Sequence, residues 1–443
     1  MITHIRMKNF KSWKDSGKVK LAPLTGFFGT NSSGKSSLLQ MLLLLKQTVE
    51  NVDIERPIPL GNRNSFMEFL DFSEVINTLE APVEFGVGGK LDEPRPIYTS
   101  LQNEPPPILM MESFTFDTTL RESMKRPIVE NFRYRINPNG ILEIVWERQE
   151  LAFGNQIDGN SFETTSLKSI RNCYGAPLST KGKPHHFLLQ FTSAFEELFS
   201  DIYYLDTIQG LPDQFFYQIN DFSRDARFRN TNKIVALVTE LLRQQVRLPQ
   251  EDRLSFEKQI SKWLQRMGLA YAFAIEQRDY QSRRSYEIFI QKQPMDTKKI
   301  HINTGSGLAL LLPVLILCYG VPEGSTLILE HPDNLLHPMA QADLADLLIE
   351  VITERKLQIL VESHSEYLLT RLQRRIAEEK ISSDQTALYF CENDNGSSKL
   401  ITLDLDELGN IKNWPKNFFG NEMGDLFAMT KAQSERRKRM EVE

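Results

Sequence analysis

The sequence is poor in cysteine and in long apolar runs. Its 443 residues include three cysteines, Cys173, Cys318 and Cys391, far apart and without a Cys-x-x-Cys pair. Neither a disulfide framework nor a zinc site is indicated. The longest apolar runs are Leu38–Leu45, broken by Gln40, and Gly307–Tyr319, which contains Pro313. Both fall short of the ~20 residues that a membrane span needs. The opening Met1-Ile2-Thr3-His4-Ile5-Arg6 does not have the form of a signal peptide, so the expected compartment is the cytoplasm and no membrane partner is expected. Charge of one sign is not in excess either. Lys and Arg number 52 against 58 Asp and Glu, a net charge of −6. That excludes a bulk nucleic-acid coat but leaves room for a local basic groove. No internal repeat and no long heptad arm is seen, which excludes a long-armed filament.

What is present is ordinary globular material, 41% apolar and 25% charged. Disorder and collagen are excluded across most of the chain. The length suggests roughly three domains. Patterning predicts strands at Ile2–Asn9, Lys18–Leu21 and Gly26–Phe28, then a helix over Lys35–Val49. Residues 80–150 read as β-rich, with Val83–Val87, Ser113–Phe116 and a hairpin. In that hairpin Phe132–Ile136 and Ile141–Trp146 flank Asn137-Pro138-Asn139-Gly140. The polar stretch 151–185 reads as a long loop. Residues 186–265 read as mainly helical, and Ala270–Glu276 with Tyr286–Ile290 as a strand pair. From 300 onward strands and helices alternate: Thr326–Leu329, Ala340–Glu354, Gln358–Val361, Glu366–Glu379, Ala387–Phe390 and Lys399–Leu405.

The strongest motif is Gly29-Thr30-Asn31-Ser32-Ser33-Gly34-Lys35-Ser36, a full G-x-x-x-x-G-K-[ST] match between a strand and an apolar helix. The glycines permit backbone angles that a Cβ forbids. Successive N–H groups and the helix N-terminus then face phosphate. The expected nucleotide contacts are Gly29, Asn31, Ser32, Ser33, Gly34, Lys35, Ser36 and Ser37, with ATP and Mg²⁺ as the cofactors. Lys35 supplies a point charge to the phosphates, and the Ser36 hydroxyl is an expected Mg²⁺ ligand.

A loop of this kind needs a second acidic group for its metal. The apolar strand Thr326–Leu329 ends in Glu330, the expected outer ligand of Mg²⁺, through water. His331 follows, and a histidine there can act as the base for the attacking water. Asp333 and His337-Pro338 lie at a bend. They read either as turn and capping residues or as a subunit contact beside the nucleotide. His364, in Val361-Glu362-Ser363-His364-Ser365, sits just past another apolar strand and can reach the γ-phosphate.

These pieces occur in one order: Asn9-Phe10-Lys11-Ser12, the phosphate loop, Asn303-Thr304-Gly305-Ser306-Gly307, Glu330-His331-Pro332-Asp333-Asn334-Leu335-Leu336-His337-Pro338, and His364. The arrangement resembles the ABC-type ATPases, in their soluble SMC/RecF/OLD-like branch. The resemblance covers about 1–75 and 300–392. Leu408–Gly420 looks like the short C-terminal domain of unknown function found on one bacterial subgroup. The resemblance implies an α/β fold: a P-loop ATPase head with a mixed β lobe, a parallel-sheet lobe and a helical insertion. It implies an N-terminal lobe over 1–150, an insertion over 151–295, a C-terminal lobe over 296–395 and a small domain with a basic tail over 396–443.

By the same resemblance Gly305, Ser306 and Gly307 form a degenerate signature that caps the nucleotide of a second subunit. Asp333 belongs to the D-loop, and His364 is the switch histidine. The expected catalytic residues are His331, Glu330 and His364. Three positions depart from the branch: His331 replaces Glu or Gln, the signature is degenerate, and Gln209 replaces an Arg. The branch often occurs in phage-defence systems of the Septu, PARIS and Gabija types. The expectation is an ATP-hydrolysing homodimer, or higher homo-oligomer, that gates a separate nuclease or toxin. Two alternatives stay open. One is an ATP-bound scaffold holding an inhibited toxin. The other is a DNA-processing ATPase, supported by the basic clusters Arg224–Arg229, Arg283-Arg284 and Arg436–Arg439.

Overall fold

A computed structural model describes residues 1–51, 56–62, 65–98, 107, 109–137, 142–147, 150–155, 163–166, 172–175, 186–206, 233–280, 283–294, 306–415, 418 and 428–434. The chain opens with β1 (Ile2–Phe10), β2 (Trp13–Asp15), β3 (Val19–Lys20) and β4 (Leu24–Gly29), and enters α1 (Lys35–Glu50). Six strands follow: β5 (Val83–Ile97), β6 (Leu109–Ser123), β7 (Arg126–Asn137), β8 (Leu142–Glu147), β9 (Glu150–Asn155) and β10 (Glu163–Ser166). Next come α2 (His186–Ser200), β11 (Ile202–Leu205), α3 (Lys233–Arg247), α4 (Gln250–Arg266), and the hairpin of β12 (Ala272–Tyr280) and β13 (Arg283–Gln291). The last part is α5 (Ser306–Gly320), β14 (Thr326–Glu330), α6 (Pro338–Arg355), β15 (Gln358–Glu362), α7 (Glu366–Ala377), β16 (Thr386–Asp394) and β17 (Ser397–Thr402).

Two sheets organise these elements. The first runs β10-β9-β8-β7-β6-β5-β1-β2, with β3 also on β1, and its pairs are antiparallel. Side chains on β6 alternate, with Phe114, Phe116, Thr118 and Leu120 inward, as period-2 geometry requires. The second runs β11-β14-β15-β4-β16-β17, parallel except for β17. Its strands β14, β15 and β4 are buried along their whole length, which is why they read as unbroken apolar runs.

The parallel sheet separates two cores. Phe27, Ile328, Leu360 and Tyr389 face the antiparallel lobe with α1 and α2. Leu24, Phe28, Leu329, Val361 and Phe390 face α5, α6 and α7. Helix α1 is buried through Leu38, Leu39 and Met41–Leu45. Gln358 ties the sheets together: its side chain accepts from Ile2 N at 2.8 Å and donates to Ile2 O at 2.6 Å.

Several elements differ from the sequence expectation. The stretch 151–185 holds most of β9, all of β10, and a buried turn at Asn172–Gly175. β9 pairs by backbone hydrogen bonds with β8, which side-chain periodicity does not reveal. Cys173 and Tyr174 are held from the sheet, Thr118 Oγ1 donating to Cys173 O and Tyr134 Oη to Tyr174 O. Strand β11 interrupts the stretch read as helical. Strand β5 runs on through two prolines: a register shift between Lys90 and Arg95 absorbs Pro94, and Pro96 lies beyond it, opposite Met110. The turn 138–141, Gln209, Arg224–Arg229 and Arg436–Arg439 lie outside the described residues. Among the described residues no helix is long and apolar enough to cross a membrane.

Candidate functional site

The site forms at the carboxyl ends of β4, β15 and β14, where parallel sheets place their ligands. β4 delivers Gly29 into the loop at φ 138°, and Gly34 caps α1 in the left-handed region at φ 91°. A Cβ on Gly29 would lie 2.1 Å from Cys391 O, so the neighbouring strand backs directly on the loop. Trp13 Nε1 donates to Gly34 O at 3.0 Å and holds the loop's far end. Asn31 and Ser32 are exposed, Ser33 is buried, and Ser36 and Ser37 are half-buried at the start of α1.

Lys35 is only 3% exposed. Its Nζ donates to Thr30 O at 2.8 Å and Gly29 O at 3.3 Å, and lies 3.7 Å from Glu362 Oε1. Burial pulls its proton affinity below the ordinary lysine value, against the attraction of Glu362. Ser36 Oγ donates to the same Glu362 oxygen at 3.1 Å.

Strand register aligns the acids. β14 and β15 pair Glu330 with Glu362, and β15 pairs Glu362 with Phe27 of β4. Burial, with the charges of Glu362 and Asp206, raises the Glu330 carboxyl to about 7. Burial would also raise Glu362, but the hydrogen bond and charge of His331, then Lys35, hold it below the usual carboxylate range. Neighbouring carboxylates with separated proton affinities are a recurring feature of working sites. Glu362 is the residue the sequence reading left without a role. Its signal, a carboxylate at the end of an apolar strand, is the one that identified Glu330.

His331 sits just past β14 at φ 47°, an uncommon conformation for a residue other than glycine. Its N–H donates to Glu362 O at 2.9 Å, and its ring Nε2 lies 3.3 Å from Glu362 Oε1. Burial lowers the ring's proton affinity, yet the bond to and charge of Glu362 outweigh it, so the net shift is upward. The His364 ring stacks on His331 at 4.9 Å with 7° between planes. Burial, Lys35 and His331 push His364 downward. Asp333 is buried in the bend, bonded by Ser363 and raised by burial. Gln341 donates to Asp333 O and Leu336 O and accepts from Ser365 Oγ, tying the bend to the His364 loop.

Loop, strand ends, bend and His364 therefore come together. The signature does so only in part. Gly305 and the Ser306 side chain lie outside the described residues. Ser306 begins α5, and an added Cβ on Gly307 would sit 3.7 Å from Leu335 O. That places α5 against the bend that follows β14.

The donor set fits a magnesium nucleotide. Among the described residues seven buried side-chain polar atoms have no partner, and five belong here: Ser33 Oγ, Glu330 Oε1, His331 Nδ1, Asp333 Oδ1 and Glu362 Oε2. Buried polar atoms left this way are costly unless something else satisfies them. Carboxylate and hydroxyl oxygens suit a hard cation. The loop's N–H groups and Lys35 suit phosphate.

Solved structures similar to the chain include three SMC heads. One is an Smc head bound to the C-winged helix domain of ScpA, 14% identical, TM-score 0.44, covering 92% of this chain and 98% of that one. Another is an Smc head with an extended coiled coil, bound to the C-terminal domain of ScpA derived from Pyrococcus furiosus, 12% identical, TM-score 0.43, covering 91% and 96%. The third is the SMC head domain from Thermotoga maritima, 13% identical, TM-score 0.40, covering 91% and 99%. No curated protein matches the chain. The family "Protein of unknown function (DUF3696)" matches residues 381–429. The family "AAA domain, putative AbiEii toxin, Type IV TA system" matches residues 24–370, which hold the phosphate loop, both acidic strand ends, His331 and His364, and the chain belongs to that family.

Proposed function

We propose that the chain binds Mg-ATP at the loop 29–37 and hydrolyses it, with His331 accepting the proton of the attacking water. The observation that carries this reading is the gathering of five buried, partnerless polar atoms around a G-K-S loop whose lysine is itself buried. Lys35 and the loop N–H groups bind the phosphates, and Gly29 and Gly34 let the backbone close around them. Ser36 and Glu330 would hold Mg²⁺, which would supply positive charge against that of the phosphates. His331, just past the end of β14, would take the proton of the attacking water, and His364 packs on its ring. General-base assistance of this kind contributes about 10²–10⁴ in rate.

The reading extends to assembly. Leu335 and Met339 are 73% and 71% exposed beside the Asp333 bend, and two copies meeting there would cover them. Gly305, Ser306 and Gly307 would then cap the partner's nucleotide. Nucleotide acts in that case as interfacial glue that hydrolysis releases. The chain is in this account the sensor or gate of a multi-protein, antiphage system with a separate effector, and the toxin–antitoxin wording of its family is in keeping with that. The test is steady-state ATP turnover with Lys35→Ala as blank and His331→Glu alongside. Turnover that Lys35→Ala abolishes supports the reading. Turnover at the blank, rising sharply in His331→Glu, favours the ATP-locked scaffold.

A further inference from the structure

We propose that the outer face of the antiparallel sheet carries a second ligand site, built for a small phosphate ester that also donates a hydrogen bond, such as a sugar phosphate or a mononucleotide. The proposal goes beyond the ATPase reading and does not rest on it. Ile5, Met7, Phe85 and Phe116 point into the core that holds α1 and α2. Strand alternation turns their neighbours Arg6, Gly86 and Asp117 to the opposite face. A pocket of about 360 Å³ lies there, with His4, Lys18, Thr115 and Arg135 also in its wall. Pockets that take small molecules begin at about this size.

Strand register builds the pocket. One row across four strands is His4, Gly88, Thr115 and Arg135, and the next begins Arg6, Gly86 and Asp117. Both rows have glycine at the β5 position. Glycine weakens a strand interior and often marks a place where a ligand approaches the backbone. Here the two glycines open a trough between the side chains of β1 and those of β6 and β7. A Cβ on Gly88 would lie 2.2 Å from the His4 ring, and one on Gly86 would lie 2.8 Å from Asp117 Oδ1. The ring and the carboxylate therefore lean into space that any other residue would fill.

The lining sets three cations, Arg6, Lys18 and Arg135, against one carboxylate, Asp117. Arg6 gives Nη2 to Asp15 at 3.1 Å, and Arg135 gives Nε to Glu143 at 3.0 Å. A guanidinium has five N–H donors, so each keeps others for a ligand. Arg135 Nη2 is 3.7 Å from Asp117 Oδ2, beyond a direct hydrogen bond. Burial raises the Asp117 carboxyl against the pull of Arg135, Arg133 and Arg6. Burial, then Lys18, lowers His4 to about 4, so its ring adds a polar edge and no charge near neutral pH. The excess of cations selects an anion, and guanidinium forks suit phosphate oxygens. Asp117 penalises a bare anion and rewards one that brings a hydroxyl or N–H. The phosphates of a DNA backbone offer acceptors only, so Asp117 counts against that partner.

The test is calorimetric titration of the full-length protein with ribose 5-phosphate, AMP, inorganic phosphate and a short DNA duplex. At least one ester is expected to bind saturably, one per chain, and about 10-fold tighter than inorganic phosphate. Arg6→Gln and Arg135→Gln should each weaken that ester about 10-fold, with the fold intact by circular dichroism. Lys35→Ala should leave its affinity within about twofold. Asp117→Ala should erase the preference for ester over inorganic phosphate. Gly86→Ala keeps every charge and puts a methyl against the flexible end of Asp117, and it should weaken the ester by blocking the trough. No saturable binding of either ester overturns the proposal. So does ester binding that Lys35→Ala abolishes and both arginine variants retain, which places the ester at the phosphate loop. Binding of the duplex alone, lost in both arginine variants, makes the face a nucleic-acid surface, and the proposal falls.

Discussion

Glu330 and Glu362 stand opposite each other as the last residues of two adjacent parallel strands, and their proton affinities are driven apart. Glu362 has Lys35, Ser36 and His331 around it. Glu330 has burial and two other acids, and its carboxyl rises from the ordinary 4.5 to about 7. One carboxylate is held charged by its neighbours, while burial and nearby acids hold the proton on the other.

Stability should carry the mark of Glu330. Between about pH 4.5 and 7 the folded chain keeps a proton there that the unfolded chain has lost, so this residue's effect on stability becomes more unfavourable as pH rises through that window. Glu330→Gln removes the effect. Without nucleotide the variant is expected to be more stable at pH 8, by on the order of 2–3 kcal/mol, with the difference gone near pH 4. Denaturant titrations at the two pH values measure it, and a less stable variant at pH 8 contradicts the account. The same variant should lose Mg²⁺-dependent turnover.

Asp346 joins α6 to α4 and α7. It accepts from Arg375 at 2.6 and 2.7 Å and from Arg371 at 2.7 Å, and is also bonded by Arg266. Burial would raise its carboxyl, but Arg375 and the three guanidinium charges hold it below the usual range. Its stabilisation is therefore present above the ordinary pKa and lost as pH falls through the folded one. Asp346→Asn should cost about 2 kcal/mol at pH 7, discounted for partly exposed arginines, and the deficit should shrink in acid. Thermal melts at pH 7 and pH 3 decide it.

The loop depends on its supports. Gly29→Ala drives a methyl into Cys391 O and is expected to abolish nucleotide binding or soluble expression. Trp13→Phe puts a smaller ring in a fully buried position and deletes the bond to Gly34 O. It should lower stability by about 2 kcal/mol, from lost packing and the lost hydrogen bond together, and weaken ATP binding a few-fold, with turnover at saturation little changed. A Trp13→Phe variant that binds as wild type removes the latch from the account.

Leu335→Arg should abolish ATP-dependent dimerisation while leaving the affinity of each chain for ATP within about twofold, because Leu335 projects from the bend into solvent. Light scattering with and without Mg-ATP reads the first, and fluorescence titration the second. A wild-type protein that stays monomeric with ATP refutes the composite-site reading itself.

Much of the parallel sheet was legible because β14, β15 and β4 are buried on both faces and bounded by acids or glycines. The phosphate loop was legible because its chemistry permits few residue types. The antiparallel lobe was harder. β9 adds to the sheet by its backbone, β5 crosses two prolines with a register shift, and Cys173 and Tyr174 are buried in a stretch that reads as polar. Glu362 escaped notice for a related reason. It becomes a neighbour of Glu330, Lys35 and Ser36 only once three strands are set in register, and no local pattern encodes that register.

The central claim is that Lys35 and its loop bind ATP. Fluorescence titration with a labelled ATP analogue and Mg²⁺, on wild type and Lys35→Ala side by side, tests it most directly. The account predicts saturable binding of one nucleotide per chain and a loss of at least about 100-fold on removal of the lysine charge. Equal binding by both proteins, or none by either, contradicts it.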